Sequence, residues 1–205
     1  QRMEIIVPHP SGNEGVPARY DCGMSRQTDS SSTKSTLAQR IATVALLRGD
    51  FTLRSGRKSS FYLDKYLFST QPDILAELGR MFAARIPAGT TKLAGAELGG
   101  IPLVTAASLA SGLPSVFIRN QKKDYGTAKQ LEGVIGPEDR VVIVEDVATT
   151  GGQVLEAAKV IVATGAKITI IIATIDRLEG ARENIEAAGF AFESLFTTRD
   201  LGISA

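Results

Sequence analysis

Histidine and cysteine occur once each in this 205-residue chain, as His9 and Cys22, and tryptophan does not occur at all. A single cysteine excludes any disulfide within the chain and fits a reducing compartment. One histidine and one cysteine leave no ligand set for a dedicated zinc site. No apolar run approaches the roughly 18 residues that cross a bilayer. No secretory pattern opens the sequence either, so the expectation is a soluble cytoplasmic protein. A bias toward one sign of charge is missing too. Lys and Arg number 23 against 22 Asp and Glu, a balance that argues against a general nucleic-acid binder. Two nucleotide-binding signatures are absent: no Gly-Lys-Ser/Thr of a Walker loop and no Gly-x-Gly-x-x-Gly.

What remains is the composition of an ordinary globular domain, 43% hydrophobic and 22% charged, and enough length for one core of two or three layers. Residues 1–34 differ in kind. They hold Pro8, Pro10, Pro17 and the polar run Ser25 to Lys34, with Ile5-Ile6-Val7 the main apolar stretch. They read as a partly flexible extension outside a domain at 35–205, and neither His9 nor Cys22 receives a role there.

From Ser35 the pattern becomes regular. Leu37, Ile41, Val44, Ala45 and Leu47 repeat at helical spacing, with Gly49 as the expected C-cap. Short strands are predicted at 51–53 and 60–63, and a helix from Pro72 toward Pro87. Strands at 92–96, 115–118, 141–145, 168–175 and 191–196 then alternate with helices near 101–110, 152–163 and 180–188. Repeated βα units predict an α/β fold with a mostly parallel sheet flanked by helices.

The segment richest in chemistry is Val141-Val142-Ile143-Val144-Glu145-Asp146-Val147-Ala148-Thr149-Thr150-Gly151-Gly152. Its four β-branched residues read as a strand buried on both faces, expected to end at the two carboxylates. A Thr-Thr-Gly-Gly turn follows, leading into the helical pattern Val154, Leu155, Ala158, Ile161. Ligands of open α/β sheets sit outside the carboxyl ends of strands. Small residues, hydroxyls and a helix N-terminus suit a phosphate there. Glu145 and Asp146 would repel a phosphate and suit sugar hydroxyls instead. A phosphate beside a polyol means a phosphorylated sugar. A second unusual stretch, 119–139, lacks an apolar period but carries Arg119, Lys122, Lys123 and Lys129, with Arg140 just beyond. A long basic connection next to such a site has the charge to neutralise a departing anion and the freedom to close over it.

These motifs together identify a family. The acidic pair and Thr/Gly turn resemble the signature of type I phosphoribosyltransferases, which bind 5-phosphoribosyl-1-diphosphate (PRPP). The stretch 51–64 (FTLRSGRKSSFYLD) is similar to the N-terminal substrate segment, or hood, of orotate phosphoribosyltransferases. Residues 119–127 (RNQKKDYGT), running on to Leu131-Glu132-Gly133, resemble that family's flexible catalytic loop. Asp176-Arg177 matches its strand-closing pair. The resemblance implies transfer of phosphoribose from PRPP to orotate, giving orotidine 5′-monophosphate and diphosphate in pyrimidine biosynthesis. It also implies Mg²⁺ carried mainly by PRPP rather than by direct protein ligands, with no nucleic-acid or membrane partner. A homodimer is implied in which loop 119–132 completes the neighbouring site.

Residue roles follow from the same resemblance. PRPP is assigned to Arg54, Arg119, Asn120, Lys123, Tyr125, Glu145, Asp146, Val147, Ala148, Thr149, Thr150, Gly151, Gly152 and Gln153. Orotate is assigned to Tyr62, Leu63, Thr149 and Arg177, the arginine fork matching the orotate carboxylate. Catalysis is assigned to Lys123, Asp124, Glu145 and Asp146. The chain departs from the pattern at Asn120 and Gly99, where lysines are common, and at Tyr125, where a histidine is. Two alternatives therefore accompany the leading reading: a PRPP- or nucleotide-sensing regulator on the same fold, or a transferase for another nucleobase.

Overall fold

A computed structural model describes residues 30–52, 58–120 and 130–203. They form, in order, α1 (Ser30–Ala45), β1 (Leu46–Thr52), β2 (Lys58–Leu63), α2 (Lys65–Ser69), α3 (Pro72–Ala83), β3 (Lys92–Ala96), α4 (Gly100–Ser111) and β4 (Ser115–Ile118). After these come β5 (Leu131–Glu132), β6 (Arg140–Ala148), α5 (Gly152–Val162), β7 (Lys167–Asp176), α6 (Ala181–Ala187), β8 (Phe192–Thr197) and a 3-10 turn, Thr198–Leu201.

Strands β3, β4, β6, β7 and β8 run parallel in a sheet ordered β5-β4-β3-β6-β7-β8, and β5 is antiparallel to β4. The order reverses direction between β3 and β6, so the crevice beyond their carboxyl ends is a topological switch point. Both faces of the sheet are covered because the strands alternate between two apolar cores. Val142 and Val144 pack with Ile41, Phe68, Leu78, Phe82 and Leu103 on one side. Val141 and Ile143 pack with Val154, Ile161 and Ile185 on the other. No helix among the described residues is long and apolar enough to cross a membrane.

Several boundaries differ from the periodicity. Helix α1 stops at Ala45, because Leu46 and Leu47 leave it to pair with Leu63 and Tyr62 in the β1–β2 hairpin. The Asp64 N–H donates to the Ala45 carbonyl at 2.9 Å, satisfying one of the groups that a helix end leaves open. Gly49 is therefore not a helix cap. It lies in an irregularity of β1 between Arg48 and Phe51, with φ +154°. Strand β6 runs through the acidic pair to Ala148, since β7 extends beside it and pairs Glu145 with Ala173 and Ala148 with Asp176. The short elements α2 and β5 and the 3-10 turn carry too few residues for a periodic signal. Residues 1–29 of the expected extension, and the expected site residues Arg54, Lys123, Asp124 and Tyr125, lie outside the described residues.

Candidate active site

The site grows from the carboxyl ends of β3, β6 and β7. Glu145 and Asp146 are both buried, at 5% and 2% exposure, and among the described residues Asp176 is the other buried carboxyl. Burial of a carboxylate requires a partner. Asp146 has two: Lys65 Nζ reaches its Oδ2 at 2.8 Å, and the Val147 N–H donates to its Oδ1 at 2.5 Å. Glu145 is less well served, and its Oε2 is buried without a hydrogen-bond partner. Burial, followed by the charge of Asp146, pushes the Glu145 carboxyl well above its usual range. The pair is thus one carboxylate held by a cation beside one acid biased toward its neutral form. An unsatisfied buried oxygen at a strand end is what a ligand hydroxyl would fill.

The lysine directly follows the 51–64 stretch, in which sequence reasoning singled out Arg54, Tyr62 and Leu63. Strand β2 ends at buried Leu63, and Asp64 then caps α2 by accepting the Tyr66 N–H at 3.0 Å. That cap makes Lys65 the first residue of α2 and turns its side chain under the end of β6. Burial alone would lower the Lys65 ammonium pKa, yet Asp146 outweighs it and the pKa stands raised. A lysine at a strand-to-helix junction, just after a capping Asp, was the available signal.

Beyond Ala148 the chain turns through Thr149 and Thr150 into α5. Gly151, with φ +79°, is the N-cap residue, and a Cβ there would lie 3.0 Å from the Ile185 side chain. The Thr150 carbonyl accepts from Asn184 Nδ2 at 2.9 Å, which ties the turn to α6. The first N–H groups of α5, at Gly152 and Gln153, lack intrahelical acceptors by geometry and face the crevice end of the helix. Turn, hydroxyls and acidic pair therefore lie along one strand-to-helix junction, with Val147 and Ala148 as its backbone.

A second turn closes the other wall. After β3, Glu97-Leu98-Gly99-Gly100 leads into α4, with a cis peptide between Glu97 and Leu98. A Cβ on Gly99 would collide with Asp146 Oδ2, so a glycine there lets the two strand ends meet. Glu97 Oε1 accepts the Asn120 N–H at 2.8 Å, and the Arg119 N–H donates to the Gln130 carbonyl at 2.8 Å. Both roots of the basic segment are thereby fixed beside this turn. Arg119 lies within 4.0 Å of Glu132, and its Nε is buried without a partner.

Arg177 closes β7. Its N–H donates to the Ala148 carbonyl at 2.9 Å, its Nη2 pairs with Glu179 at 2.9 Å, and its Nε is buried without a partner. The guanidinium faces the Phe61 ring at 5.9 Å. Alternation on β2 puts Phe61 and Leu63 on one face and Tyr62 on the other. Tyr62 is exposed, with its ring 5.7 Å from that of Phe51. Leu63 is buried in the core formed by α1 and α3. The aromatic ring beside Arg177 is thus Phe61, which sequence reasoning passed over in favour of its neighbour. Among the described residues no group of three or more His, Cys, Asp or Glu side chains is placed to hold a metal ion.

Comparison with known proteins agrees with this geometry. The phosphoribosyl transferase domain family matches residues 69–195. An orotate phosphoribosyltransferase of Methanocella arvoryzae is 45% identical over 159 residues, 78% of this chain and 91% of that protein. The crystal structure of the Mycobacterium tuberculosis orotate phosphoribosyltransferase in complex with Fe(III) dicitrate aligns with a TM-score of 0.74 at 29% identity, covering 83% of this chain and 99% of that one. The same enzyme in complex with PRPP aligns with a TM-score of 0.70 at 29% identity, covering 83% and 99%.

Proposed function

The chain belongs to the phosphoribosyltransferase family, among the orotate phosphoribosyltransferases, and from that premise we propose that it joins orotate to the phosphoribosyl group of PRPP. The carrying observation is the buried Glu145–Asp146 pair leading directly into a Gly-capped helix at the switch point of the sheet. That junction supplies an acidic and a phosphate-binding surface side by side, which is the polarity of a ribose 5-phosphate.

In this reading the Thr149–Gln153 turn holds the 5-phosphate through hydroxyls and N–H groups. Glu145 and Asp146 take the ribose hydroxyls. The orotate nitrogen forms a bond to ribose C1 as the C1–O bond to diphosphate breaks; the electron pair of that bond leaves with the diphosphate, which also takes up the proton released from the nitrogen. Positive charge grows on the ribose meanwhile, and Asp146, held in position by Lys65, is placed to stabilise it. Arg119 and the loop residues Lys123 and Tyr125 meet the departing diphosphate, with Asn120 contributing at the loop root and Arg54 near the base; Asp124 of the same loop is kept as a catalytic residue and not as a diphosphate ligand. Arg177 receives the orotate carboxylate, with Thr149 beside it and Phe61 against the guanidinium. The Arg177–Glu179 pair then exchanges one carboxylate for another.

Mg²⁺ is the proposed cofactor, supplying charge neutralisation on the diphosphate when bound. The acidic pair does not fit as its cage, because Asp146 is engaged by Lys65 and Glu145 is held toward its neutral form. The ion would accordingly be carried by PRPP and not by direct protein ligands. A cytoplasmic homodimer, with loop 119–132 reaching the neighbouring site, completes the proposal.

The deciding experiment follows orotate absorbance with PRPP and Mg²⁺, beside adenine, hypoxanthine and uracil. Decay with orotate alone is the expected result. Turnover with another base would overturn the role given to Arg177. PRPP binding without any turnover would make the protein a sensor.

A further inference from the structure

We propose that Lys65 is a positioning residue for PRPP binding, acting through Asp146, and that Gly99 is the glycine that permits this arrangement. The inference rests on the reading of Asp146 as a ligand of the PRPP ribose. Asp146 is almost fully buried and sits next to a second buried carboxyl. Without a cation this buried side chain would have no oppositely charged partner beside a second buried carboxyl. The ammonium at 2.8 Å supplies the opposite charge and fixes the orientation of the Asp146 side chain. Lys65 reaches this place because Asp64 caps α2, and its own side chain remains 30% exposed.

Gly99 is the independent half of the argument. Its backbone is ordinary, with φ −69° and ψ −28°, so no conformational reason demands glycine. The demand is steric: a Cβ would occupy the space taken by Asp146 Oδ2, the same oxygen that Lys65 binds. An alanine at 99 would push the carboxylate off the lysine without straining the main chain. The cation at this wall of the site thus enters from α2, while the β3–α4 turn is left bare to admit the carboxylate. Two residues far apart in sequence, 65 and 99, act on one atom of a third.

The experiment measures KM for each substrate in Lys65→Met, Lys65→Arg and Gly99→Ala, with calorimetric titration of PRPP in the absence of orotate and a thermal melt of each variant. Lys65→Met is expected to weaken PRPP on the order of tenfold while orotate KM stays within about twofold. Lys65→Arg should restore most of the loss, since charge is retained. Gly99→Ala should reproduce the PRPP defect, and combining it with Lys65→Met should add little, because both remove one contact. PRPP affinity unchanged in Lys65→Met, or equal loss for both substrates with no rescue by arginine, would overturn the proposal. Should Lys65→Met melt below assay temperature, Gly99→Ala with normal PRPP affinity would overturn it as well. The titration reads this inference without turnover, so an enzyme that ignores orotate would sink the proposed reaction and leave the role of Lys65 decidable.

Discussion

At the scale of single residues, the site is organised by unequal treatment of two adjacent acids. Asp146 receives a cation and a backbone N–H, whereas one oxygen of Glu145 receives nothing. The free protein therefore holds a buried acid whose folded-state pKa is raised. Between the unfolded and folded values the native state binds more protons than the unfolded chain, so stability falls as pH rises through that window. Below the ordinary glutamate value both states are protonated and the difference vanishes. Glu145→Gln is thus expected to raise the melting temperature of the ligand-free protein at neutral pH by about 2–8 °C, for a gain of roughly 1–2 kcal/mol. The difference should close near about pH 4, and PRPP affinity should drop in exchange. Melting curves of both proteins from acid to neutral pH check this. A difference that stays constant with pH would show that Glu145 does not titrate in this way. The residue scale was partly legible in the sequence. The acidic pair stood out as a dipeptide, but its inequality depends on Lys65, which lies 81 positions away and carries no motif.

At the scale of elements, the decisive unit is the junction of β6 with α5. The strand was recognisable from four β-branched residues and the helix from its apolar spacing. The turn between them was legible because glycine and threonine have few other reasons to cluster. The strand end was misjudged, since acidic residues are poor candidates for a buried strand unless a neighbour extends alongside, as β7 does. Gly151 carries the turn, with a φ reserved for glycine and a close neighbour in Ile185. Gly151→Ala is expected to cost about 1–2 kcal/mol of stability and to weaken PRPP more than orotate, because the phosphate turn must shift. Urea unfolding together with KM for both substrates tests it. An alanine variant with unchanged PRPP affinity would remove the turn from the phosphate site. The hairpin β1–β2 teaches the opposite lesson. Its alternation determines that Phe61, not Tyr62, faces Arg177, a distinction that a motif match without a register does not make.

At the scale of the whole molecule, the sheet order brings the site together. Reversal between β3 and β6 sets the β3–α4 turn against Asp146, and β7 delivers Arg177 to the adjoining edge. The proposed dimer makes a sharp prediction at this scale. If loop 119–132 serves the neighbouring subunit, Lys123→Ala and Arg177→Ala damage complementary halves of a shared site. Each variant alone should be nearly inactive. A mixed population should recover about a quarter of wild-type activity, since half the dimers are heterodimers with one intact site each. Mixing without recovery would place the loop over its own subunit's site.

Sequence alone determined the class of this protein, because periodicity, the β-branched strand and the acidic and Thr/Gly turn are local patterns that report their own environment. It reached the family through four motifs in order between residues 51 and 177, and through them the expected reaction. Tertiary structure decided which side chains meet. Lys65 on Asp146, Gly99 beneath the same carboxylate, Phe61 against Arg177 and Glu97 on the Asn120 N–H are all contacts between segments far apart in the chain. The physical reason is that local patterning encodes which face of an element is buried, whereas distant partners are set by strand order and register, which no single window contains.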